Sequence, residues 1–121
     1  VKTMVEMMEG VIEDGTGGNA KVKGYRVAGK TGTAEKIING KYEKNKNIGS
    51  FVGLIPATNP RIIMAVMIDE PSVGSHFGGV VAAPVFSNVM AGAMKILNIP
   101  QDDKPQNKIP QQEKAEPKET I

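Results

Sequence analysis

The sequence predicts an α+β fold, an antiparallel sheet flanked by helices. Residues 1–12 and 80–97 carry apolar side chains at helical spacing. Between them lie three strand-like segments in succession, joined by turn signals. A doubly wound sheet would need helices alternating with those strands, and the pattern leaves no room for them.

Val1, Met4, Val5, Met8, Val11 and Ile12 fall at i, i+3, i+4 and i+7, so the first element is an amphipathic helix. Its methionine stripe is expected to pack into the core. Asp14-Gly15-Thr16-Gly17-Gly18-Asn19 ends it in a Gly-rich loop. Tyr25 to Ile38 reads as the first strand. Asn39-Gly40 is a strong hairpin signal, because a type I′ turn needs positive φ at both central positions. A polar return, Lys41 to Asn47, leads into a second strand, Ile48 to Ile55. Pro56 to Pro60 turns the chain into a third strand, Arg61 to Ile68, whose unbroken apolar run predicts burial on both faces. Asp69-Glu70-Pro71 closes it. Val85, Phe86, Val89, Met90, Ala93, Ile96 and Leu97 restore helical spacing. Pro84 is tolerated only in a first turn, which sets the helix start near Val81 to Ala83.

At 121 residues the chain is one domain at most. It opens at Val1 inside a helical pattern, so it reads as a piece of something longer. Gln101 to Ile121 has almost no large apolar residues, a composition that cannot offset its ordering entropy. The expected division is a body at 1–100 and a disordered tail at 101–121.

Composition excludes several classes. A formal charge of +2 and five aromatics without Trp argue against a nucleic-acid partner. With no Cys and only His76, neither a disulfide nor a zinc site is expected, and no cofactor is implied. No run of about 18 consecutive apolar residues marks a membrane span.

GYRVAGKTGTAEK, Gly24 to Lys36, supports two readings. Gly24 followed by Gly29-Lys30-Thr31 satisfies the phosphate-loop pattern, and an apolar strand ending in Asp69-Glu70 imitates a magnesium-binding strand. The context disagrees: a charged segment enters Gly24, Tyr25 to Ala28 is β-prone, and a hairpin turn follows where a helix should begin. A nucleotide-phosphate site stays as the remote alternative. Lys30-Thr31-Gly32 is also the triplet of penicillin-recognising serine enzymes. In a strand, Thr31 and Thr33 project to the same side and could grip one carboxylate. Gly32 removes a side chain where a ligand must approach the backbone, and the Thr33 N–H could donate to a developing oxyanion. Lys30 supplies a positive charge, although strict alternation puts it on the opposite face.

GTGGNA at Gly15 to Ala20, GYRVAGKTGTAEK, and FGGVVAAPVF at Phe77 to Phe86 together resemble the class B penicillin-binding proteins. The likeness is strongest to the cell-division branch that builds septal peptidoglycan, and it covers Val1 to about Pro100. It implies part of a serine β-lactamase/D,D-transpeptidase-like fold. It further implies that Lys30 and Thr33 are catalytic and that Thr31, Gly32, Thr33 and Phe77 bind substrate. The implied partners are peptidoglycan stem peptides, β-lactam antibiotics, other division proteins and the upstream part of the same domain. The implied location is the bacterial inner membrane, with the catalytic domain facing the periplasm.

One departure is large. The family's nucleophile sits in S-x-x-K and a second serine in S-x-N. Ser50, Ser72, Ser75 and Ser87 match neither. The chain alone is therefore expected to be inactive, with the nucleophile upstream of Val1. A non-catalytic penicillin-binding-like module or a β-lactam sensor are the alternatives.

Overall fold

A computed structural model describes residues 1–72 and 74–103. Helix α1 (Lys2–Glu13) leads through a short 3-10 turn (Gly18–Ala20) into strands β1 (Ala28–Ile38), β2 (Lys41–Ile55) and β3 (Ile62–Asp69). Two helices follow, α2 (Gly78–Val81) and α3 (Ala83–Ile96). The strands form one antiparallel sheet in the order β1-β2-β3. The expected α+β organisation is therefore present.

The turn at Asn39-Gly40 has φ of 52° and 77°, both positive as a two-residue type I′ turn requires. It pairs Ile38 with Lys41 and so fixes the register of everything before it. The polar return from Lys41 is itself strand, continuing β2 backward past Ile48 with one irregularity between Glu35 and Lys36. Polar side chains did not prevent pairing, because neither face of this ribbon is buried. At the other end β1 begins only at Ala28. Tyr25 instead bridges Val22, across a turn in which Gly24 adopts φ 85°.

Register sorts the sheet into two faces. Gly29, Thr31 and Thr33 share one with Phe51, Ile55 and Val66. Helix α3 covers this face through Phe86, Met90 and Met94, and Ile12 of α1 joins the same core. Phe51 and Phe86 meet edge to face, centroids 5.0 Å apart at 64°. Pro84 lies in the first turn of α3, as expected. The helical stretch Gly78–Ile96 spans 19 residues at mean hydropathy 1.4, long and apolar enough by composition to cross a bilayer. Its buried side chains are instead the roof of the core.

Two apolar expectations need correction. β3 is not buried on both faces: Ile63 is 71% exposed and Met67 69%, beside a half-open Val52. Only one face of the sheet carries helices among the described residues. The methionine stripe of α1 is likewise mostly uncovered, with Met4 60% exposed. The helix reaches the core through its C-terminal end, where Ile12 is its one fully buried residue.

Two polar ties hold the entry to β1. Arg26 makes a bidentate ion pair with Glu9 of α1, donating from Nε at 2.8 Å and Nη2 at 3.0 Å. Asp102 accepts from the Arg26 N–H and from the Thr58 hydroxyl, both at 2.7 Å, so one carboxylate bridges two turns. The Asp103 N–H donates to Gly24 O at 3.2 Å, and Ile99 is buried. Asp102 and Asp103, beyond the boundary expected at Pro100, are thus attached to the body. Composition missed this because the attachment is by hydrogen bonds rather than by apolar burial. Residues 104–121, the rest of the expected tail, lie outside the described residues.

Asp102→Ala should destabilise the folded protein by about 1–3 kcal/mol, the cost of unpairing donors from a charged acceptor. Asp103→Ala keeps the backbone donor and should stay within about 0.5 kcal/mol. Denaturant midpoints compare the two, and equal midpoints would show that Asp102 holds nothing.

Candidate active site

Strand β1 carries Lys30, Thr31, Gly32 and Thr33 along the edge of the sheet, and α2 starts directly over them. The Gly78 N–H, in the first turn of α2, donates to Thr33 Oγ1 at 3.1 Å. The hydroxyls of Thr31 and Thr16 lie 2.7 Å apart, and either can donate. Asn19 Nδ2 donates to Gly79 O at 2.8 Å, tying the Gly-rich loop to the same helix. Together Thr16, Asn19, Thr31, Thr33, Phe77, Gly79 and Val80 line an open groove of about 350 Å³.

Glycine sterics explain why α2 can sit there. A Cβ on Gly78 would stand 2.2 Å from Ser50 O and 2.4 Å from Gly32 O. One on Gly79 would lie 2.3 Å from Thr16 O, and one on Gly49 2.5 Å from Val81 Cγ2. Any side chain at these positions would lift the helix off the strands and open the groove.

The expected site residues separate into two groups. Thr31 and Thr33 share the groove face, and Phe77, 58% exposed, forms a wall with its ring 4.4 Å from that of His76. Lys30 and Gly32 face the other way. Lys30 is exposed and its Nζ donates to Thr31 O at 3.1 Å, so it wraps around the strand edge without entering the groove. Gly32 shares a face with its register partner Ser50, and a Cβ there would meet Ser50 Oγ at 2.6 Å. The bare position therefore makes room for Ser50, while the Gly32 backbone lies beneath Gly78. Thr16, Asn19, Gly79 and Val80 were not foreseen as lining residues. No sequence spacing brings residue 16 to residue 31; only the packing of the loop against β1 does.

The phosphate-loop reading is overturned. Gly29, Lys30 and Thr31 are internal to a strand, so no helix N-terminus presents its amides to a phosphate. Asp69 and Glu70 accept from Lys36 Nζ at 3.0 and 3.1 Å, which ties the hairpin to the end of β3. Those two hydrogen bonds raise the Lys36 pKa above its ordinary value.

Comparison with known proteins agrees with the fold. The family described as "Penicillin binding protein transpeptidase domain" matches residues 1–91. A probable peptidoglycan D,D-transpeptidase of Neisseria flavescens, PenA, is 50% identical over 99 residues, which cover 81% of this chain and 25% of that protein. Peptidoglycan D,D-transpeptidase FtsI of Escherichia coli is 46% identical over 104 residues, 84% of this chain and 18% of that protein. The chain therefore spans a quarter or less of these relatives. Among solved structures, the transpeptidase domain of penicillin-binding protein 3 from Burkholderia pseudomallei superposes with a TM-score of 0.77 at 45% identity. That match covers 85% of this chain and 31% of the other. Penicillin-binding protein 3 from Mycobacterium tuberculosis, complexed with ampicillin, gives a TM-score of 0.75 at 33% identity, covering 87% and 25%.

Gly78→Ala should cost roughly 1–3 kcal/mol, because the new methyl meets backbone atoms that cannot turn aside. Gly92→Ala, at an open position within α3, should be neutral or gain about 0.5–1 kcal/mol. Thermal unfolding of the two variants checks the contrast, and a neutral Gly78→Ala would refute the contact.

Proposed function

The chain belongs to the penicillin-binding protein transpeptidase family, and we propose that it forms one wall of a peptidoglycan D,D-transpeptidase site in a larger protein. The observation that carries this reading is the pair of hydroxyls, Thr31 and Thr33, on one face of an edge strand and beneath the first turn of α2. In the proposed mechanism they bind the terminal carboxylate of a D-alanyl-D-alanine stem peptide, or that of a β-lactam. The substrate lies along the edge of β1 as an added strand. A serine Oγ from the upstream part of the domain attacks the penultimate carbonyl. The Thr33 N–H supplies half of the oxyanion hole as negative charge develops on the carbonyl oxygen. Collapse of the tetrahedral intermediate expels D-alanine, whose amine takes up a proton, and leaves the acyl group on the serine. An acceptor amine then attacks that ester, the C–O bond to the serine breaks, and the amine's proton passes to the departing serine Oγ as the cross-link forms. Lys30 contributes positive charge at the strand edge, and Phe77 walls the pocket.

The uncovered apolar surface supports the same reading. Ile63, Met67 and Val52 on the open sheet face, with Met4 and Met7 on α1, suit coverage by the remainder of a transpeptidase domain. Action during cell division, together with other division proteins, follows from the same reading. So does an inner-membrane protein with this domain in the periplasm.

Fluorescent penicillin tests the proposal. The full-length protein should label at a single serine outside Val1–Ile121, and this chain alone should not label. Thr33→Val in the full-length protein should slow acylation roughly 10- to 100-fold, the loss of a hydrogen bond to a charged group. Thr33→Ser keeps the hydroxyl and should stay near the parent. A stable adduct on Ser50, Ser72, Ser75 or Ser87 would refute the assignment, as would unchanged acylation in Thr33→Val.

A further inference from the structure

We propose that Thr16 is a positioning residue whose hydroxyl, together with the Gly78 amide, makes Thr31 and Thr33 dedicated donors to an anion in the groove. The proposal rests on the carboxylate-binding reading above. A hydroxyl has one proton to donate and two lone pairs to accept with. The Gly78 N–H can only donate, so Thr33 Oγ1 is the acceptor in that 3.1 Å bond and its proton is directed elsewhere. The Thr16–Thr31 contact of 2.7 Å can run in either direction while the groove is empty. A carboxylate removes that freedom, because it only accepts. Once Thr31 donates to it, Thr16 must donate to Thr31 Oγ1.

The result is a chain of donors, from Thr16 to Thr31 to the anion, beside a second chain from Gly78 to Thr33 to the anion. Successive hydrogen bonds polarise one another, and the gain is greatest against a full charge. Thr16 therefore acts on charge discrimination through Thr31, its hydrogen-bond partner in the groove. Its loop is held in place by Asn19 on Gly79 O and by the close approach of Gly79 to Thr16 O. The geometry is thus built by three segments that are distant in sequence.

The test uses the full-length protein and two probes, benzylpenicillin and its methyl ester. Thr16→Val should slow acylation by benzylpenicillin roughly 3- to 10-fold, the range for one lost hydrogen bond, chiefly by weakening initial binding. The ester should slow by less than about 2-fold, because its carbonyl carries no full charge to be stabilised. Thr16→Ser restores the hydroxyl and should restore the parent rate. Thr16→Ala repeats the measurement if valine disturbs the loop. Equal slowing of both probes would mean that Thr16 only holds the loop and would overturn the proposal. So would a serine variant as impaired as valine, or no change with either probe. If the parent protein itself does not acylate, the transpeptidase reading fails instead.

Discussion

An added Cβ at residue 78 would stand within 2.4 Å of two carbonyl oxygens, Ser50 O and Gly32 O, one from each of two paired strands. Helix α2 thus rests on peptide groups rather than on side chains, at the place where β1 carries Thr31 and Thr33. Everything in the groove inherits its geometry from that approach. The Gly78 N–H reaches Thr33 Oγ1 because nothing separates helix from strand, and Gly79 reaches the Thr16 carbonyl for the same reason. Peptide-on-peptide packing leaves little slack. That suits a site in which hydroxyl directions matter.

Beneath this contact the core is one-sided. Phe51 and Phe86 meet across the sheet–helix boundary, and Gly53 leaves the space their rings occupy, since a Cβ there would lie 2.7 Å from one ring and 2.9 Å from the other. The same face of the sheet therefore holds the core at its centre and the groove at its edge. The opposite face holds Lys30, Ser50 and the exposed Ile63 and Met67. Lys30 belongs geometrically to that second face, and it reaches toward the groove side only by its long side chain.

Local signals were legible where chemistry is local. The Asn39-Gly40 turn, the start of α3 at Pro84 and the succession of three strands all follow from residue type and period. GTGGNA, KTGT and FGG carried the family. Burial was harder to read. Ile62 to Ile68 looks like an interior strand, yet its exposure depends on which face has neighbours, which no window of residues contains. Asp102 reads as part of a polar tail, while its carboxylate accepts from groups 76 and 44 residues away. Thr16 is one more threonine in a flexible-looking loop. The packing of that loop against β1 assigns it a partner, and such pairings have no sequence signature.

Strands β1 and β2 outrun β3, whose pairing ends where Ile48 meets Asp69. Beyond the irregularity at Glu35/Lys36, residues 36–43 form a two-stranded ribbon with Ile37 and Tyr42 paired and exposed. Isolated ribbons of this kind are marginal in water, whereas three strands under a helix are not. A single strand therefore carries a steep gradient of local free energy, from nearly global near Ala28 to nearly zero near Ile38. For the amides that pair with β2, hydrogen exchange should follow that slope, slow toward Ala28 and fast at the tip. Thr33 sits on the shoulder between the two regimes. A carboxylate held there, as proposed above, should draw the boundary of the slow-exchanging region outward along the ribbon, so that occupancy of the groove would be legible at residues that never touch it.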